Sequence, residues 1–77
     1  MISIADLQEG KISRIVEIAG GKTTHQKLDA LGIRVGVNIK NVSSLMLRGP
    51  VVIMVGSTQI AIGRGMANKI MVEAKNI

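Results

Sequence analysis

The sequence has no cysteine and no Phe, Tyr or Trp, and it has a single histidine and a single proline among 77 residues. Without cysteine there is no disulfide, no thiolate metal ligand and no thiol nucleophile, which fits a reducing cytoplasm. Without aromatic rings the chain cannot hold single-stranded RNA or DNA by base stacking. Nor can it build the aromatic-lined groove that grips proline-rich peptides. No apolar run approaches the roughly 20 residues that span a bilayer. The N-terminal "MISIADLQEG" lacks the basic region and long apolar stretch of a signal peptide. A soluble cytoplasmic protein with no direct membrane insertion is therefore expected.

What the chain does have is aliphatic. Apolar residues make up 47%, and Ile and Val supply 20 of those 36. β-Branched side chains favour strands, so the core should be aliphatic and β-rich. One small domain over residues 1–77 is expected, near the lower size limit for a self-sufficient core. The net charge of +5 fits an acidic partner: nucleic acid, an anionic membrane surface or an acidic protein face. The ten Lys and Arg are scattered, however, and a solvated basic surface that keeps the protein soluble accounts for them better.

Local signals divide the chain into short elements. Ser3, three residues before Asp6, can cap a single helical turn that Gly10 ends. "KISRIVEIAG" reads as a strand with Ile12, Val16 and Ile18 on one face, Arg14 intruding, closed by Gly20 and Gly21. Thr23 and Gln26 have capping-box spacing, so a helix is expected from about Thr24 to Leu31. Gly32 should take the left-handed position past its end, with Ile33 folding back on Leu28 and Leu31. In "VNIKNVSSLML", Val37 and Ile39 alternate, Val42 falls out of step, and Leu45 and Leu47 resume, which predicts a bulge or sharp bend near Asn41. "RGP" at 48–50 is a turn, and "VVIMV" is a strand buried on both faces or at a barrel seam. Gly56-Ser57 supplies a two-residue II′ hairpin turn. "TQIAIG" returns with Ile60 and Ile62 inward, "RGMAN" makes a helical turn, and "KIMVEA" closes with Ile70 and Val72. Five short strands, one short helix and one or two helical turns avoid exposed edges best as a small, partly open β-barrel.

Few residues are arranged for chemistry. Gly21-Lys22-Thr23 matches the end of a phosphate-binding loop, but the leading glycine would fall where Val16 stands. "GRGMAN" begins like a dinucleotide fingerprint, yet Asn68 replaces its final glycine and no βαβ unit surrounds it. His25 and Asp29 share a helix face at i, i+4. Two ligands do not complete a metal site, and no serine lies in a nucleophile elbow. Asp6 and Glu9 are explained by capping and solvation. Met46, Met54 and Met71 fall inside strands, where burial or partner contact is expected. No catalytic residue, metal site or cofactor is assigned.

"LQEGKISRIVEI", "KLDALGIRVGVNIKNV" and "RGPVVIMVGSTQIAIGRGMANKIMV", in that order, resemble the FeoA family of small cytoplasmic accessory proteins of bacterial ferrous-iron uptake. The likeness runs from about Ile4 to Val72. It is carried by Leu28, Leu31, Gly32, Ile33 and Gly36 in register with Gly49-Pro50 and with Ile60 to Gly63. Val35 departs from the pattern, standing where the family often has proline, which loosens the turn. The resemblance implies a mainly β, SH3-like barrel, a domain type that also forms the C-terminal module of some iron-dependent repressors. It further implies a partner, FeoB, the membrane ferrous-iron transporter with a cytosolic GTP-binding domain.

The expected function is accordingly non-enzymatic docking on that cytosolic part, with no nucleic acid expected as a partner. A transient interface needs an apolar centre with a charged rim. Lys27, Leu28, Leu31, Ile33, Arg34, Met46 and Arg48 are the candidate contact residues. The leucines could equally plug the barrel, or one could point inward and its neighbour outward. A sharper variant makes Arg34 or Arg64 an arginine finger that accelerates GTP hydrolysis. Rivals from other classes are a nucleic-acid-binding barrel and a metal-sensing module using His25.

Overall fold

One strand belongs to two sheets, and the architecture follows from that. The computed structural model describes residues 1–43 and 49–73. Its strands are β1 (Ile2–Ser3), β2 (Ile12–Ile18), β3 (Asn38–Ser43), β4 (Val51–Val55), β5 (Thr58–Ile62) and β6 (Ile70–Val72). Two helices, α1 (Lys22–Ala30) and α2 (Arg64–Ala67), lie between strands. The strand order is β1-β6-β2-β3-β4-β5 with every pair antiparallel. The mainly β, SH3-like barrel is the observed fold, with six strands among the described residues where five were expected.

The additional strand is β1. Ser3 pairs with Met71 instead of opening a helical turn. Two successive turns follow: the Asp6 amide donates to the Ser3 carbonyl at 3.0 Å and the Leu7 amide to the Ile4 carbonyl at 3.3 Å. The Ser3 hydroxyl reaches the Asp6 carboxylate at 3.4 Å, so it caps no helix. Ile4 and Leu7, buried on these turns, enter the core.

In β2 the expected inward face of Ile12, Val16 and Ile18 is corrected, since of these only Ile18 is buried. Ile12 to Arg14 pair with β3, whereas Ile15 to Ile18 pair with β6, and the register shifts between Ile15 and Glu17. The extra residue, Val16, is a β-bulge that bends the strand from one sheet into the other. Ile15 is therefore fully buried (0% exposed), Ile18 is buried with it, and Ile12 is turned outward at 66% exposure. Strict alternation from Ile12 puts the wrong residues inside, because side chains change face across a bulge.

β5 and β6 keep their expected inward faces, while β4, expected to be buried on both faces or at a seam, is buried on one face and half-buried on the other. Val51 and Ile53 on β4, Ile62 on β5, and Ile70 and Val72 on β6 are buried, with Ile60 half-buried. Val55 pairs with Thr58 across the Gly56-Ser57 turn. A φ of +61° at Gly56, with no positive φ at Ser57, is the II′ geometry. Met54 and Met71 are half-buried, while Leu45, Met46, Leu47 and Arg48 lie outside the described residues.

The expected irregularity in β3 is present between Asn41 and Ser43. Asn41 itself is fully buried. Its side-chain Nδ2 donates to the Leu7 carbonyl at 2.5 Å, its backbone carbonyl accepts from the Gly10 amide at 2.7 Å, and its backbone amide donates to the Lys11 carbonyl at 3.1 Å. The β1–β2 connection is thus clasped to β3 by one polar residue.

The bulge assignment is tested by truncation. Ile15→Ala should lower unfolding stability by about 2–5 kcal/mol, as for a filled core site. Ile12→Ala should stay within about 0.5 kcal/mol. Urea unfolding of both variants checks this, and the alternation reading of β2 would give the opposite order.

Candidate docking surface

Helix α1 is built differently at its two ends. Gly21 is its N-cap, with no side-chain cap hydrogen bond, so the helix starts two residues before the expected Thr24. Thr23 lies inside the first turn, and the expected capping box with Gln26 is not made. The turn is instead pressed onto Gly20, at φ +111°, where an added Cβ would come within 3.1 Å of the Thr24 side chain. Only glycine satisfies both the conformation and the closeness.

The C-terminal end is a Schellman motif. The Gly32 amide donates to the Asp29 carbonyl and the Ile33 amide to the Leu28 carbonyl, each at 2.9 Å, the paired bonds that define this cap. Gly32 takes φ +83°, the left-handed position expected for it. The accompanying apolar contact joins Ile33 to Leu28, and both are buried, at 1% and 2% exposure. Leu31, at the C-cap, faces outward at 48%.

This separates the candidate contact residues. Leu28 and Ile33 are both core residues, of which Ile33 also forms part of the floor of a groove beside α1. Lys27, Leu31 and Arg34 are exposed. Met46 and Arg48 lie outside the described residues. Val35, noted in the sequence only as a departure from a pattern, is exposed at 57%. An apolar side chain followed directly by Gly36 in an otherwise polar turn was the signal available for it.

Arg34 is held in place. Its Nε donates to the Asp29 carboxylate at 2.7 Å and its Nη2 to the Asp29 carbonyl at 3.2 Å. The carboxylate that stood one turn from His25 is therefore engaged by Arg34. Among the described residues no group of three or more His, Asp or Glu side chains could hold a metal ion. Arg64, the other candidate finger, is half-buried in the first turn of α2. A shallow groove of about 290 Å³ runs beside α1, with Ile18, Ile33 and Val35 among its apolar lining and Lys22, His25 and Arg34 among its polar lining. No helix among the described residues is long and apolar enough to cross a membrane.

Comparison with known proteins gives consistent relatives. The family described as FeoA domain matches over residues 2–74. A protein of Methanocaldococcus jannaschii, provisionally named Fe(2+) transport protein A, is 38% identical over 73 residues, covering 95% of this chain and 87% of its own length. A crystal structure of an iron uptake regulatory protein, FeoA, superposes with a TM-score of 0.84 at 33% identity, covering 94% of this chain and 93% of that one. A manganese-dependent transcriptional repressor superposes with a TM-score of 0.82 at 14% identity, covering 91% of this chain and 39% of the repressor. At that identity the likeness is one of fold.

Two substitutions separate cap from ion pair. Gly32→Ala should destabilise the protein by about 1–2 kcal/mol, because an L-residue is strained at that φ. Arg34→Ala removes an exposed pair and should cost less than about 1 kcal/mol. Thermal unfolding of both variants provides the comparison.

Proposed function

The chain belongs to the FeoA domain family, and from that premise we propose that it is a non-enzymatic accessory protein of ferrous-iron transport. It docks at the cytosolic face on the GTP-binding domain of the membrane transporter FeoB. The observation that carries this reading is the division of labour at the helix–glycine joint. Leu28 and Ile33 anchor the joint in the core, which leaves Leu31 exposed between the exposed cations Lys27 and Arg34. An apolar residue with a charged border is the anatomy of a small transient interface. The Schellman cap presents it rigidly, so little conformational entropy is lost on binding.

Stimulation of GTP hydrolysis by an arginine finger has less support. A finger must reach deep into a partner's phosphate site, whereas Asp29 tethers the Arg34 guanidinium beside its own helix. The proposed role is therefore attachment, with Arg34 as part of the rim.

A binding titration against the purified cytosolic domain, with and without guanine nucleotide, tests the proposal. Wild-type protein should bind in at least one nucleotide state. Leu31→Ser should weaken binding about tenfold, the loss of about 1.4 kcal/mol expected for an apolar anchor. Lys11→Gln, exposed on the β1–β2 connection, should not. No binding in either state, or equal binding by the Leu31 variant, refutes it.

A further inference from the structure

The groove beside α1 differs in character from the rest of the described surface. A second depression, about 430 Å³, is lined by Ile12, Ser13, Arg14, Asn38 and Glu73, and its one cation is paired to its one anion, whereas the α1 groove has Lys22 in addition to its Arg34–Asp29 pair. In the α1 groove the aliphatic side chains of Ile18, Ile33 and Val35 share the lining with Lys22, His25 and Arg34, with Asp29 as the one carboxylate. Arg34 Nε donates to that carboxylate and its Nη2 to the Asp29 backbone carbonyl. The guanidinium is thereby oriented while its remaining N–H donors stay available to a ligand. Lys22 adds a cation at the opposite end of the helix.

Resting on the docking reading, we propose that this groove receives an acidic segment of the partner protein, with a carboxylate residue beside an aliphatic one. The carboxylate meets Lys22 at one end of the groove, and the free edge of the Arg34 fork, at the other end, receives a further acidic residue of the segment. The aliphatic side chain covers Val35 and the floor formed by Ile18 and Ile33. Charge complementarity selects an anion, and the aliphatic floor selects a protein segment over nucleic acid, since the chain has no aromatic ring on which a base could stack. The groove is at the small end of ligand-site volumes, a size suited to single side chains of a docked segment. It extends the interface from Leu31 around the joint to Val35.

The test uses the full chain, labelled with ¹⁵N, and titrates it with a short synthetic peptide alternating Glu and Leu. A Gln/Leu peptide, a Lys/Leu peptide and a single-stranded oligonucleotide serve as comparisons. The Glu/Leu peptide should shift the amides of Lys22, Gln26, Arg34 and Val35, bind roughly tenfold more tightly than the Gln/Leu peptide, and weaken with added salt. Lys22→Glu and Val35→Ser should each lower its affinity about fivefold or more. Shifts confined to other surfaces, equal binding of the Gln/Leu peptide, or preferential filling of the groove by the oligonucleotide would overturn the proposal.

The same variants, measured against the cytosolic domain of the transporter, keep the two ideas apart. If Leu31→Ser weakens binding while Lys22→Glu and Val35→Ser do not, the groove is refuted as a site and the docking reading stands. If the peptide fills the groove but the wild-type chain does not bind the domain, docking on that partner is refuted and the chemistry assigned to the groove stands.

Discussion

With no aromatic side chain available, the core has to be filled by many small aliphatic ones brought in from β2 to β6, from both helices and from the connections, and the bulge at Val16 is what permits it. It splits β2 between the two sheets and turns Ile15 and Ile18, three residues apart, to the same interior. The bulge also governs the helix joint. The Ile15 amide donates to the Val37 carbonyl at 2.9 Å and the Gly36 amide to the Ile15 carbonyl at 2.8 Å. The turn that carries Arg34 and Val35 is thereby fastened to the bend in β2. A change in β2 register would displace the joint as well as the core.

The helix depends on its surroundings in the same way. Nine residues do not make a stable helix in water. Here one buried leucine, a glycine contact at the start and a Schellman cap at the end fix it against the sheet. Because a single apolar residue of α1 is buried, most of the helix surface is left for other uses. At the far side of the barrel, Asn41 plays the corresponding role for the N-terminal turns, with hydrogen bonds in place of apolar contact.

Much of this was legible in the residues, and the exceptions have identifiable physics. Gly32, the Gly56-Ser57 hairpin and the irregularity near Asn41 were readable because turn conformations restrict the residues they accept. The inward faces of β5 and β6 were readable because alternation holds where pairing is regular, whereas the continuous apolar run of β4 hid which of its faces is the buried one. It failed in β2, where "ISRIVEI" offers two apolar phases and only the three-dimensional partner of each half decides between them. Thr23 carried capping-box spacing, yet close packing of Thr24 on Gly20 favoured an earlier start to the helix. Leu28 and Leu31 were equivalent by spacing, and the bonds of the cap, not hydropathy, sent one inward and the other outward. Val35 escaped notice because an exposed aliphatic residue in a turn has no periodic signature.

The pairing of Ile2 with Val72, with the last strand between the first and the second, brings entry and exit of the barrel to a common seam. A module whose two attachment points are neighbours can be spliced onto or into a larger polypeptide with little disturbance to its interior. The helix joint is made from the middle of the sequence, so its exposed surface would survive such grafting. An architecture closed in this manner is readily inherited by hosts of unrelated purpose.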